Sequence, residues 1–140
     1  MIMTTMNEPA TILHMLSAPR TIAVVGLSDN PGKASHSVSA YMQLQGYRIL
    51  PVNPAVTSVL GETSYRSLRD LPVKPHVVNV FRLPQHIPAI VEEMIELGLT
   101  NLWVQLGIRN LEAAARAEGA GIHVVMDRCI LIEHRRLMLK

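Results

Sequence analysis

Apolar positions along this chain follow two alternating rhythms. Short unbroken runs occur at Ile22–Val25, Tyr47–Val52, Val77–Phe81, Asn101–Leu106 and Ile122–Met126. Each is four to six residues long and continuous, the pattern of a strand covered on both faces. Between these runs the spacing turns helical. Val38, Tyr41 and Met42 predict a helix over Ala34–Gln45, stopped by Gly46. Ile87, Ile90, Val91, Met94 and Ile95 repeat at i, i+3, i+4, i+7 and i+8, so a helix runs from Pro84 to Gly98. An alanine-rich helix over Asn110–Glu118 is ended by Gly119 and Gly121. In the first eighteen residues, Ile12, Met15 and Leu16 with Pro9 near their start predict a short lead-in helix, broken at Ala18-Pro19. Pro51 and Pro54 are read as ending the second strand. Residues 57–70 are polar around Gly61, with one helical turn at 67–71. The tail over 129–140 reads as a helix in preference to an extended arm.

Strands this short, alternating with helices, require a parallel sheet whose crossovers cover both faces. The fold class is therefore α/β: an open, doubly wound, parallel five-stranded sheet, formed by one domain over residues 1–140. Ligands of such sheets sit beyond the C-terminal strand ends, where the strand order reverses. The positions to inspect are Gly26 to Lys33, Asn53-Pro54, Phe81-Arg82, Gln105 to Ile108, and Asp127-Arg128.

The first of these is the most informative. Thr21–Ser39 reads TIAVVGLSDNPGKASHSVS: a strand, a glycine-bearing loop and a helix start. Loop and first-turn N–H groups, together with the helix dipole, form a cradle for a phosphate-bearing ligand. Lys33 at the helix start opposes the dipole and makes better sense beside an anion. A dinucleotide site would show G-x-G-x-x-G and an acid ending the second strand. Here Ser28 stands in place of the second glycine, and the second strand ends in Val52-Asn53-Pro54. Both departures count against a Rossmann-type NAD(P)-linked oxidoreductase, the rival reading. Ala34 after Lys33 excludes the ATP P-loop, which needs Ser or Thr there.

Taken in order, VVGLSDNPGKASHSV, PVNP, Gly61 and SLRDLP resemble the CoA-binding domain family, which includes the N-terminal domain of the succinyl-CoA synthetase alpha subunit and of ADP-forming acyl-CoA synthetases. LWVQLGI and VVMDRCILIEH resemble its small stand-alone bacterial branch, so the resemblance covers roughly residues 10–137. It implies a Rossmann-like sheet with coenzyme A, or an acyl-CoA, lying across the strand ends. By position, Gly26, Ser28, Asn30 and Pro31 would line the pocket, and Lys33 and Ser35 would meet phosphate oxygens. Asn53 and Pro54 would border the adenine and ribose side, while Phe81 and Arg82 would flank the pantetheine path. Gln105, at the next strand end, completes the candidate set. The 3′-phosphate of CoA gives a cation such as Lys33, Arg48 or Arg82 a partner. In the synthetases the phosphorylated histidine lies in other domains, so this chain reads as a CoA-binding module without catalytic residues. A synthetase subunit that needs a separate catalytic chain is the further alternative.

Composition narrows the partners. Half the residues are apolar (49%) and only 17% charged, as in a folded domain. A formal charge of +2, scattered Lys and Arg, and only one Trp, three Tyr and one Phe speak against nucleic acid. No apolar run approaches the roughly 20 residues of a membrane span, and the N-terminus lacks the pattern of a signal peptide. The single cysteine, Cys129, excludes an internal disulfide and fits a reducing cytoplasm; it is read as buried filler. Six dispersed histidines show no metal-binding spacing. Asp127-Arg128 is read as an internal ion pair anchoring the tail.

Overall fold

A computed structural model describes residues 4–138; positions 1–3 of the lead-in and 139–140 of the tail lie outside the described residues. The chain opens with α1 (Pro9–Leu16), whose first turn holds Pro9 and whose inner face buries Thr11, Ile12, Met15 and Leu16. There follow β1 (Thr21–Val25), α2 (Ala34–Leu44) and β2 (Arg48–Val52). A small antiparallel hairpin, β3 (Ser58–Val59) and β4 (Glu62–Thr63), precedes a 3-10 turn at Leu68–Asp70. The second half runs β5 (Val77–Val80), α3 (Ile87–Leu97), β6 (Asn101–Val104), α4 (Leu111–Gly119), β7 (His123–Met126) and α5 (Ile130–Met138).

The main sheet has five parallel strands in the order β2-β1-β5-β6-β7, as the alternation of elements predicts. Its strands are buried on both sides, and successive residues serve opposite cores. Ala23, Val25, Val78, Val80, Leu102 and Val104 face a core with Val91 and Met94 of α3 and Ala113 and Ala117 of α4. Ile22, Val24, Ile49, Val77, Trp103 and Val125 face a second core with Met15, Val38, Met42 and Ile130 from α1, α2 and α5. This double burial explains the unbroken apolar runs. Trp103, fully buried, satisfies its indole N–H on the Arg128 carbonyl at 2.9 Å.

Local departures from the sequence reading each have a cause. Pro51 lies inside β2, opposite Val24, rather than ending it. Because β2 is an edge strand and the Pro51 carbonyl turns outward to the Tyr65 N–H (3.0 Å), the missing donor removes no bond to β1. The helix expected from Pro84 begins as a 3-10 turn at Pro84–His86, and the α-helical part starts at Ile87 with Pro88 in its first turn. A β3–β4 hairpin stands where the sequence pattern predicts only polar chain around Gly61. Its two-residue turn is Leu60-Gly61, both at positive φ (56° and 76°), and Leu at the first position is a poor turn signal. Leu60 adopts it while packing against the second core. The tail is helical, α5, in keeping with the preferred reading.

Candidate functional site

The strand order reverses beside β1. From β1 the chain crosses through α2 to β2 on one side, and from β5 it crosses through α3 to β6 on the other. The topology therefore places the ligand crevice usual in such sheets at the C-terminal ends of β1 and β5. Gly26 leaves β1 into this crevice, and Phe81 and Arg82 leave β5 beside it. The strands stay paired to the last residue, Phe81 N–H donating to the Val25 carbonyl at 2.9 Å. Gly26 has φ +89°, and a Cβ there would stand 2.5 Å from the Phe81 carbonyl oxygen and 3.0 Å from Arg82 Cδ. Only glycine lets the two strand ends and the aliphatic stem of Arg82 approach this closely.

The loop after Gly26 is folded by its own short polar side chains. Ser28 Oγ accepts from the Asn30 N–H (3.0 Å), and Asn30 Oδ1 accepts from the Gly32 N–H (2.9 Å). The Asn30 carbonyl takes the Lys33 N–H, and Ser35 Oγ takes the Ser28 N–H, both at 3.0 Å. Four loop N–H groups that the sequence reading aimed at a ligand are thus engaged internally. What remains for an anion is the start of α2, where Ala34 and Ser35 have N–H groups with no acceptor inside the helix. No acid lies in that first turn, and the cap residue, Lys33, makes no side-chain cap bond. Lys33 is exposed, as are Asn30 and Pro31, whereas Ser35 is buried beneath the loop.

Asn53 braces this loop from β2. Its Nδ2 donates to the Leu27 carbonyl (2.9 Å) and its Oδ1 accepts from the Ala55 N–H (2.9 Å), closing a turn that leaves Pro54 exposed at the rim. The Asn53 backbone is held as well, its N–H on the Tyr65 carbonyl and its carbonyl on the Ser64 hydroxyl. Gln43 Nε2 of α2 donates to the Leu60 carbonyl, so the hairpin is tied to the same wall. The sequence carried no signal for this brace beyond an asparagine between prolines.

The structure brings together Gly26, Ser28, Asn30, Pro31, Lys33, Ser35, Asn53, Phe81 and Arg82, with Pro54 at the edge. Gln105 follows β6 but is 3% exposed, with its terminal amide 2.8 Å from that of Asn79. Turned so that its oxygen meets a donor, the same amide accepts from the Ile130 N–H (3.2 Å) at the start of α5. It underlies the crevice and does not line it, because a buried amide must find partners inside the protein. Arg48 does not belong to the site. It opens β2, at the other end of a five-residue strand, about 16 Å from the crevice. The expected Asp127–Arg128 ion pair is also absent. Asp127 Oδ1 accepts from the Gly107 N–H (2.7 Å), while Arg128 Nη1 donates to the Asp127 carbonyl (2.9 Å). Cys129 is half-buried against the second core. Two groups that hydropathy did not mark as functional, Leu83 and Leu106, stand 62% exposed beyond the ends of β5 and β6.

Among the described residues no three His, Cys, Asp or Glu side chains are grouped to hold a metal. No described helix is long and apolar enough to cross a membrane. Known proteins sharpen the picture. YneT of Bacillus subtilis, an uncharacterized protein, is 41% identical over 125 residues, which is 89% of this chain and 93% of YneT. A hypothetical protein of Pyrococcus horikoshii, solved as a structure, is 35% identical with a TM-score of 0.88 over 99% of both chains. The dinucleotide-forming acetyl-coenzyme A synthetase 1 of Ca. Korarchaeum cryptofilum shares the fold at 21% identity and a TM-score of 0.70, over 82% of this chain and 28% of its own. The CoA binding domain pattern matches residues 20–135, from the start of β1 into α5. With that match over most of its length, the chain belongs to the CoA binding domain family.

Proposed function

We propose that this protein binds coenzyme A, or an acyl-CoA, across the C-terminal ends of β1, β2 and β5, as a module without chemistry of its own. The observation that carries the reading is the strand-order reversal beside β1, where an acid-free start of α2 follows a loop already folded on itself. An anion placed there gains the first-turn N–H groups, the helix dipole and Lys33 together. The diphosphate takes this position. Gly26, Ser28, Asn30 and Pro31 line it, and Ser35 and Gln105 support it from below. Asn53 and Pro54 border the adenosine side, and Phe81 and Arg82 flank the pantetheine beside the apolar Leu83 and Leu106. NAD is disfavoured because the end of β2 offers no carboxylate for a ribose diol. Asn53 stands there, with its amide already committed to Leu27 and Ala55.

Melting the full chain with CoA, acetyl-CoA, NAD or ATP separates the readings. Ligand at 100 times its dissociation constant stabilises by about 2.7 kcal/mol, and CoA is expected to do so. A shift with NAD and none with CoA would overturn the proposal. Lys33→Ala is expected to weaken the CoA shift, more so at low salt. An unchanged shift removes Lys33 from the site.

A further inference from the structure

The opposite end of the sheet holds positive charge that, among the described residues, has no acidic partner. A depression of about 460 Å³ opens there, at the N-terminal ends of β1, β2 and β5, lined by Arg20, Thr21, Arg48, Lys74 and His76 among others. It lies at the opposite end of the sheet from the candidate site. Backbone pairing fixes its members side by side. Arg48 stands opposite Thr21 in the sheet, the Arg48 N–H donates to the Arg20 carbonyl (3.0 Å), and the His76 N–H donates to Thr21 (2.9 Å to Oγ1). No carboxylate lines the depression. Among the described residues, Arg69, Arg116 and Arg136 pair with glutamates, whereas Arg20, Arg48 and Lys74 have no acidic partner. Three exposed cations lining one depression without a counter-charge leave a positive field that an anion would neutralise.

We infer that this end of the sheet is a second anion site, built for a small oxyanion of the phosphate class. The donors suit it: two guanidinium forks can each grip two oxygens, and Lys74 adds a point charge. The Thr21 hydroxyl oxygen already accepts from the His76 N–H, so its hydrogen is free to donate to the anion. The spread of cations across the ends of adjacent strands favours a diphosphate, bridged between Arg20 and Arg48, over a single phosphate.

The test uses the full chain, titrated with inorganic phosphate and with pyrophosphate and followed by amide NMR shifts and calorimetry. Pyrophosphate is expected to move the amides of Arg20, Thr21, Arg48 and His76, more tightly than phosphate. Its affinity should fall as salt rises and the screening length shrinks from about 30 Å at 0.01 M to about 8 Å at 0.15 M. Arg20→Gln/Arg48→Gln should weaken binding at this end of the sheet at least tenfold while the CoA response is kept. Should the double variant fail to fold, Lys74→Gln, on an exposed side chain, should weaken binding several-fold. The inference is overturned if pyrophosphate moves no amide at this end, moves only residues 27–35, or binds these variants as it binds the wild type. Loss of CoA binding in the wild type would leave this site untouched, so the two readings fail separately.

Discussion

At Gly26 the chain must turn with φ +89° and also admit the Phe81 carbonyl into the space of a side chain. Alanine there meets both a left-handed backbone penalty and a backbone clash that no rotamer relieves. Gly61 shares the positive φ (76°) but has nothing within 4 Å of its missing Cβ. Gly26→Ala should therefore lower the unfolding free energy by about 3 kcal/mol, and Gly61→Ala by about 1 kcal/mol. Urea denaturation of the two variants measures the difference; equal losses would mean the β1–β5 approach is slack. The glycine itself was plain in the sequence as a strand-ending residue. Its contact was not, because Phe81 lies far away along the chain and arrives only through sheet pairing.

At the scale of elements, α2 and α5 are joined by a titratable contact. Tyr41 Oη lies 2.9 Å from His134 Nδ1, and the rings of Tyr41 and Tyr47 meet the imidazole edge-on. His134 is 5% exposed, and burial pushes its pKa below the usual histidine value. The unfolded chain then takes up this proton more readily than the folded one. Stability from this group is complete above the unfolded pKa of about 6.5 and is lost as pH falls below it. His76 is shifted in the same direction, chiefly by burial. The melting midpoint should hold steady from pH 8 to 7 and decline between about pH 6.5 and 5, above the ordinary carboxylate range. His134→Phe should flatten part of that decline; an unaltered slope would assign it to other groups. Because α5 packs on α2, acid should also loosen the helix whose start is the proposed anion cradle.

At the scale of the molecule, both outer strands of the sheet are closed by irregular chain. Tyr65 covers the end of β2, and Asn7 covers β7. Asn7 Nδ2 donates to the Met126 carbonyl (2.8 Å) and its Oδ1 accepts from the Met126 N–H (2.7 Å), imitating one rung of a sixth strand. Thr4 and the Thr5 N–H both reach the Glu118 carboxylate, which fixes the segment on α4. Such closures keep exposed strand edges from pairing with other chains. Asn7→Ala should lower stability by about 1–3 kcal/mol through two unpartnered groups on Met126. It should also raise light scattering at high protein concentration, and a variant as stable and monodisperse as the wild type would deny Asn7 this role.

Hydropathy alone determined the order and type of the main elements and the parallel sheet, because a strand buried on both faces and a helix buried on one impose different apolar periods. The departures Ser28 and Asn53 were equally legible as chemistry: no second glycine, no acid after β2. What the linear pattern cannot carry is which distant groups meet. Tertiary structure alone decided that the loop N–H groups close on Ser28, Asn30 and Ser35, that Asn53 braces Leu27, and that Gln105 turns inward. It also decided that Arg48, near the candidate residues in sequence, stands at the far end of the sheet beside Arg20 and Lys74. Each of these depends on pairing register and chain direction. A strand's composition sets whether it is buried; its neighbours in the sheet set which of its ends reaches the candidate site.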